Sequence, residues 1–60
     1  MEKIVTIYNG IDRVWFSRKK ALDHFRQILD RLEPDSDEYD RCIRVIGKLS
    51  VGRTVVKDKD

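Results

Sequence analysis

Few side chains in this sequence are reactive, and none has a second reactive group at the distance in sequence that is typical of a catalytic pair. The sequence has a single histidine, His24, and a single cysteine, Cys42. A nucleophile needs an adjacent base, and a structural zinc site needs about four ligands. Neither a glycine-rich phosphate loop nor a serine-nucleophile motif occurs. We therefore expect no enzymatic activity, no metal and no cofactor.

An acidic run between positions 33 and 40 could bind a hard cation. It lacks the central glycine and the final glutamate of a calcium-binding EF-hand loop. Several of its carboxylates instead stand where a helix is predicted to begin, and a helix N-terminus favours negative charge. Helix capping is therefore preferred over metal binding. The run consists of Glu33, Asp35, Asp37, Glu38 and Asp40.

Three consecutive cations, Arg18, Lys19 and Lys20, occupy the first turn of a predicted helix. Each is unfavourable there by about 0.3–1 kcal/mol, because the helix N-terminus is itself partly positive. A phosphate or an acidic protein loop bound to these side chains and to free backbone N–H groups would remove the conflict. Solvent screening, with Lys19 pairing to Asp23, is the preferred explanation, because it makes the penalty small. The three cations are candidate contacts for an anion or an acidic partner.

The second predicted helix has basic residues along one flank, Arg41, Arg44 and Lys48. Such a stripe could bind nucleic-acid phosphates. Asp37 and Asp40 stand four residues before the two arginines, which favours pairs within the helix and a solvated face. The chain's net charge of +2 permits contact with nucleic acid without arguing for it.

The N-terminal residues predict a β-hairpin. Asn9-Gly10 predicts a two-residue type I′ turn, in which both positions have positive φ. This turn joins strands of about 3–8 and 11–16 and opposes Tyr8 to Ile11 and Ile4 to Trp15.

This register divides the hairpin side chains between two apolar faces. One face contains Val5, Ile7, Val14 and Phe16. The other contains Ile4, Tyr8, Ile11 and Trp15, around Thr6 and Arg13. Since so small a protein can cover only one face with its helices, we expect the first set to be buried and the second to form a contact surface. Trp, Tyr and Arg are enriched at binding hot spots. A third strand or a curled tail over part of that surface is the alternative. The predicted partner-binding residues are Ile4, Tyr8, Ile11, Arg13 and Trp15.

Two amphipathic helices follow the hairpin. Ser17 is a good N-cap for a first helix over about 18–32. Asp35 or Ser36 is a good N-cap for a second helix, which ends near Leu49. Glu38 stands three residues after Asp35, which is the spacing of a capping box. The predicted core stripes are Ala21, Leu22, Phe25, Ile28, Leu29 and Leu32 in the first helix, and Tyr39, Cys42, Ile43, Ile46 and Leu49, with Val45 beside them, in the second.

Gly52 separates the second helix from a third strand over about 53–57. The element order ββααβ predicts an α+β fold with an antiparallel helix pair on one face of a three-stranded sheet. Residues 4–7 are the most β-prone and least charged, which favours the first strand at the centre and the order 2-1-3. A third strand beside the second is the alternative. The chain is one domain of residues 1–60, with 57–60 expected to be frayed.

The small size of the chain bears on its assembly and its compartment. Sixty residues bury only about 60% of the surface that their unfolded chain exposes. A homodimer would bury further surface and supply the missing stability, and a marginally stable monomer is an equally favoured alternative. One free thiol fits a reducing, cytoplasmic setting, and no apolar run approaches the roughly 20 residues that span a bilayer.

Three segments carry a resemblance to short accessory proteins of phages and conjugative elements: 5–10 (VTIYNG), 13–18 (RVWFSR) and 51–56 (VGRTVV). Proteins of that context include transcriptional regulators and small inhibitors of host defence systems, among them anti-CRISPR proteins. The resemblance implies action by stoichiometric binding, and it transfers no functional residue to this chain.

The favoured hypothesis is a non-catalytic binding protein that inhibits or regulates a partner protein, as a mobile-element inhibitor of a host nucleic-acid enzyme would. Two alternatives stay open. One is a small dimeric regulator that binds nucleic acid, and the other is a structural subunit that associates with itself.

Overall fold

A computed structural model of the chain describes residues 2–59. Its five elements confirm the predicted α+β fold with the order ββααβ, and the sheet has the predicted strand order β2-β1-β3. The elements are β1 (Ile4–Tyr8), β2 (Ile11–Trp15), α1 (Arg18–Leu29), α2 (Asp37–Ser50) and β3 (Val55–Lys57).

The hairpin forms as its turn residues predict. Asn9 has φ 53° and Gly10 has φ 76°, the two positive values that a type I′ turn requires. Ile4 lies opposite Trp15 and Tyr8 opposite Ile11, which confirms the predicted register.

Strand β3 runs parallel to β1 on the side away from β2. The Val5 N–H donates to the Thr54 carbonyl at 2.8 Å, and the Asp58 N–H donates to the Ile7 carbonyl at 3.0 Å. These bonds extend the pairing beyond the ends of β3. Strand β1 is therefore the central strand, and β2 and β3 are the edges.

Each helix begins at a serine cap. The Ser17 hydroxyl accepts from the Lys20 N–H at 3.3 Å, and the Ser36 hydroxyl accepts from the Tyr39 N–H at 3.1 Å. Ser36, rather than Asp35, is therefore the cap of α2. The first helix ends earlier than predicted, because beyond Leu29 the chain tightens into turns with i to i+3 hydrogen bonds.

The end of α2 is closed by Gly52, whose φ of 95° favours glycine. The Arg53 N–H donates to the Lys48 carbonyl and the Gly52 N–H to the Leu49 carbonyl, both at 3.2 Å. This is the Schellman pattern that satisfies the last carbonyls of a helix. It turns the chain back toward the sheet for β3.

The core lies between the helices and one face of the sheet. Its fully or nearly fully buried apolar side chains are Ile4, Trp15, Ala21, Phe25, Cys42, Val45, Leu49 and Val56. The stripe predicted for α1 is confirmed, since its other members pack against this cluster. In α2 the prediction for Ile43 is wrong, because Ile43 is 45% exposed while Val45 is fully buried. The apolar arc of α2 is wider than the arc that the core covers.

The prediction that residues 57–60 are frayed is wrong for Lys57 and Asp58. Lys57 belongs to β3, and Asp58 is only 4% exposed. The Asp58 carboxylate accepts from the Asn9 N–H at 3.0 Å and lies 3.5 Å from the Arg41 guanidinium. These contacts tie the end of β3 to the hairpin turn and to α2. Asp60 lies outside the described residues.

Candidate docking surface

The helices pack on one face of the sheet and leave the other face open. Val5 pairs with Val14 on β2 and with Val55 on β3, so three valines form one row across all three strands. Val14 is 47% exposed and Val55 is 57% exposed, whereas the next residue of β3, Val56, is fully buried on the helix side. The row is therefore an apolar stripe in contact with water.

A second row lies beside the valine row. Ile7 pairs with Asp12 on one edge strand and with Lys57 on the other. Within residues 2–59, neither the Asp12 carboxylate nor the Lys57 ammonium has a hydrogen bond or an ion pair. Phe16 directly follows β2 and is 61% exposed, and it lines a shallow depression together with Val14. We call this surface the open face, and it consists of Val5, Ile7, Asp12, Val14, Phe16, Val55 and Lys57.

The predicted assignment of the two hairpin faces is wrong. Ile4 is fully buried and Trp15 is 9% exposed, both within the core, while Val14 and Phe16 face water. Burial of tryptophan removes more apolar area from water than burial of valine. The Trp15 indole N–H also has a partner in the core, because it donates to the Thr6 hydroxyl at 3.0 Å. The larger side chains therefore face the helices.

The other predicted contact residues of that face, Tyr8, Ile11 and Arg13, differ in how far they are buried. Tyr8 is half-buried, with its ring edge-on to Phe25 at 5.5 Å between centroids. The Arg13 guanidinium lies 4.1 Å from the centroid of the Trp15 ring and partly covers it. Ile11 is 68% exposed at the tip of the hairpin. Ile4 and Trp15 are thus unavailable to a partner, and Ile11 and Arg13 are available beside the helices, away from the open face.

Arg18 has a structural role that its sequence position did not reveal. Its guanidinium donates to the carbonyls of Leu49 at 2.7 Å, Arg53 at 3.0 Å and Gly52 at 3.3 Å, and it also pairs with Glu2. A cation at the C-terminus of α2 interacts favourably with the helix dipole. Arg18 therefore fastens α2 to the start of α1 and is not free to bind an external anion.

Lys19 and Lys20 are both exposed on α1. They do not take part in the contacts of Arg18, so the predicted three-cation cluster is reduced to two lysines.

The basic flank of α2 is also partly engaged. Arg41 pairs with Asp58, and the Lys48 ammonium donates to the Lys57 carbonyl at 3.1 Å. Arg44 is exposed. Two of the three flank cations therefore stabilise the packing of β3.

The two side chains with the most reactive chemistry lie within apolar surroundings. The Cys42 thiol is fully buried and donates to the Phe25 carbonyl at 3.2 Å, and burial raises its pKa. The His24 ring lies 5.0 Å from the Trp15 ring, and burial, helped by the Arg13 charge, lowers its pKa. A protonated thiol is a poor nucleophile, so this arrangement favours a structural role for Cys42.

A polar cluster at the hairpin end of the molecule was missed by sequence reasoning. Besides the Asp58 contacts, the Asn9 side-chain amide donates to the Glu38 carboxylate at 3.2 Å. The Tyr8 hydroxyl is buried beside this cluster and has no hydrogen-bond partner within the described structure. One signal was present in the sequence: in strand alternation, Asp58 shares the inward face with Val56.

The acidic run does not form a metal site in the described part of the chain. Asp37, Glu38 and Asp40 lie in the first turn of α2, as the capping explanation requires. Among residues 2–59, no group of three or more His, Cys, Asp and Glu side chains is placed to bind a metal ion. The described helices also include none with the length and apolar character needed to span a membrane.

Comparisons with protein-family models, with curated proteins and with solved structures found no match.

Proposed function

We propose that this chain is a non-catalytic binding protein that inhibits or regulates a partner protein by stoichiometric docking, and that it docks through the open face. One observation supports this most directly. Val14 and Val55, which are 47% and 57% exposed, flank Val5 in one row across the sheet, and Phe16, 61% exposed, directly follows β2 on the side of the sheet away from the helices. Contiguous exposed apolar patches on small proteins commonly mark interaction sites.

One edge strand of the open face, β3, is held by contacts at both of its ends, which favours binding. Arg18 secures the loop before β3, and Asp58 secures the strand's other end. This edge of the valine row is therefore held in place before a partner arrives. A surface that is ordered in advance loses less conformational entropy on binding.

The positions of the reactive and charged groups support binding to protein over catalysis or nucleic-acid recognition. Cys42 is buried, and the ring of His24 packs on aromatic rings. The open face contains one carboxylate and one ammonium group, whereas a nucleic-acid interface is strongly positive. An apolar protein surface is the better complement.

A comparative pull-down tests the proposal. The open-face variant is Val14→Glu, and the matched control is Ile43→Glu, because Ile43 is an exposed aliphatic residue of similar exposure on α2. We expect wild type and Ile43→Glu to retain the same partner at one-to-one stoichiometry. Val14→Glu should weaken that binding at least about tenfold, as loss of a hot-spot contact does.

Circular dichroism and thermal melting should show that both variants stay folded. Retention of the partner by a folded Val14→Glu variant, with affinity equal to wild type, would contradict docking through the open face.

A further inference from the structure

We infer that a second copy of this chain covers the open face in the free protein, forming a two-fold, face-to-face dimer. The inference rests on the proposed function, because it names an occupant of the same docking face. It depends on how the charges and the valines are distributed over the three strands.

The geometry of the pairing follows from symmetry. Two sheets stack about 10 Å apart with their strands nearly aligned. A two-fold axis that is parallel to β1 and midway between the sheets preserves the direction of the strands. Since β1 is central, this operation places β2 of one protomer over β3 of its partner. Each row of one sheet then faces the same row of the other.

The charged groups are complementary under this operation. Asp12 lies on β2 and Lys57 on β3, and both pair with Ile7 in the same row. Asp12 of one protomer therefore faces the partner's Lys57, and the reverse contact occurs at the other edge. One symmetric dimer forms both ion pairs, as expected for a contact that uses the same patch on both copies.

The apolar groups match in the same way. Val14 of one protomer faces the partner's Val55, and the central Val5 faces its own copy. An axis perpendicular to the strands, placed between the two rows, would instead stack Asp12 on Val14 and Lys57 on Val55. That arrangement buries charges against valines without a partner, which is costly. The axis parallel to the strands is therefore selected.

The size of the open face limits the strength of this dimer. Three strands about 4.8 Å apart present only a few hundred Å² per protomer, below the roughly 800 Å² per partner of a standard interface. We therefore expect a dissociation constant in the micromolar range or weaker. A target protein that makes further contacts beyond the open face would then displace the second copy.

Charge reversal provides the test, with the dimer fraction measured by sedimentation from micromolar to millimolar protein. Asp12→Lys and Lys57→Asp should each weaken the dimer about tenfold, because two attractive contacts become repulsive. An equimolar mixture of the two variants should dimerise like wild type, since both contacts are then attractive again. The control Lys19→Asp makes on α1 the same charge change as Lys57→Asp and should leave the dimer unchanged.

Several outcomes would overturn the dimer. They are a monomeric wild type at every concentration, single variants that dimerise like wild type, or a mixture without recovery. A monomeric wild type whose partner binding is still lost in Val14→Glu overturns the dimer but supports the docking face. Dimerisation with recovery in the mixture, together with unchanged partner binding by Val14→Glu, supports the dimer and overturns the proposed function.

Discussion

The two faces of the sheet have similar sequences and opposite environments. The helix-facing side holds Ile4, Thr6 and Trp15 in the core, while the open face exposes Val14 and Val55 to water. Each face has apolar residues at alternate positions, so alternation alone does not distinguish them. The larger apolar side chains face the helices, and there the Trp15 indole N–H donates to the buried Thr6 hydroxyl. A buried face is thus recognised by how its polar groups are satisfied as well as by its apolar content.

Shortening one side chain on each face tests this difference most directly. Trp15→Ala should lower the free energy of unfolding by about 3–5 kcal/mol, because it leaves a large cavity in the core. A domain of this size has little more stability than that, so the variant should be largely unfolded. Val14→Ala should cost less than about 1 kcal/mol, since Val14 is half exposed.

Urea denaturation followed by circular dichroism measures both changes. If Trp15→Ala proved as stable as wild type, or Val14→Ala proved the more damaging change, the assignment of the two faces would be reversed.

The Trp15–Thr6 hydrogen bond allows a sharper test of why the helix-facing side is buried. Thr6→Val preserves shape but leaves the buried indole N–H without its acceptor, at a cost of about 1–3 kcal/mol. The matched control is Thr54→Val, a threonine exposed outside the core. In a Trp15→Phe background, which has no indole donor, Thr6→Val should cost clearly less.

Denaturation of the two single variants and the double variant completes a double-mutant cycle. Equal costs of Thr6→Val in both backgrounds would mean that the hydrogen bond does not stabilise the buried face.

Much of the fold could be predicted because its signals are local. Asn9-Gly10 determines the hairpin and its register, Ser17 marks the start of α1, and Gly52 marks the end of α2. The central position of β1 followed from the low charge of residues 4–7. Each of these predictions depends on residues that are close together in the sequence.

The orientation of the hairpin could not be predicted, because it depends on contacts between distant residues. Arg13 and Thr6 belong to the face that was predicted to contact a partner, yet one covers the Trp15 ring and the other accepts its N–H. Arg18 looked misplaced at a helix N-terminus until α2 brought its C-terminal carbonyls to the guanidinium. In each case a polar side chain contacts a group of the same chain that only the tertiary fold brings close to it. The face predicted to contact a partner is therefore the helix-facing side of a correctly predicted sheet.

The two faces also differ in how pH is expected to affect them, because the only histidine of the chain packs on the helix-facing side. His24 packs against Trp15 and Phe25 on the helix side, and its folded pKa is lowered mainly by burial and further by Arg13. Above its ordinary value of 6.5, His24 is neutral in both the folded and the unfolded chain. As the pH falls below that value, the unfolded chain takes up the proton first, so stability is lost until the folded pKa is passed. Wild type should therefore lose stability relative to His24→Gln between about pH 7.5 and pH 5.5.

Urea denaturation of both proteins at the two pH values isolates this effect, because the carboxylates are common to both. A stability difference that is constant with pH, or that shifts in favour of wild type in acid, would contradict the burial of His24. The open face contains no histidine, since His24 is the chain's only one. Dimerisation should therefore be the same at both pH values wherever the chain is folded, so that acid weakens the helix-facing side and leaves the open face unchanged.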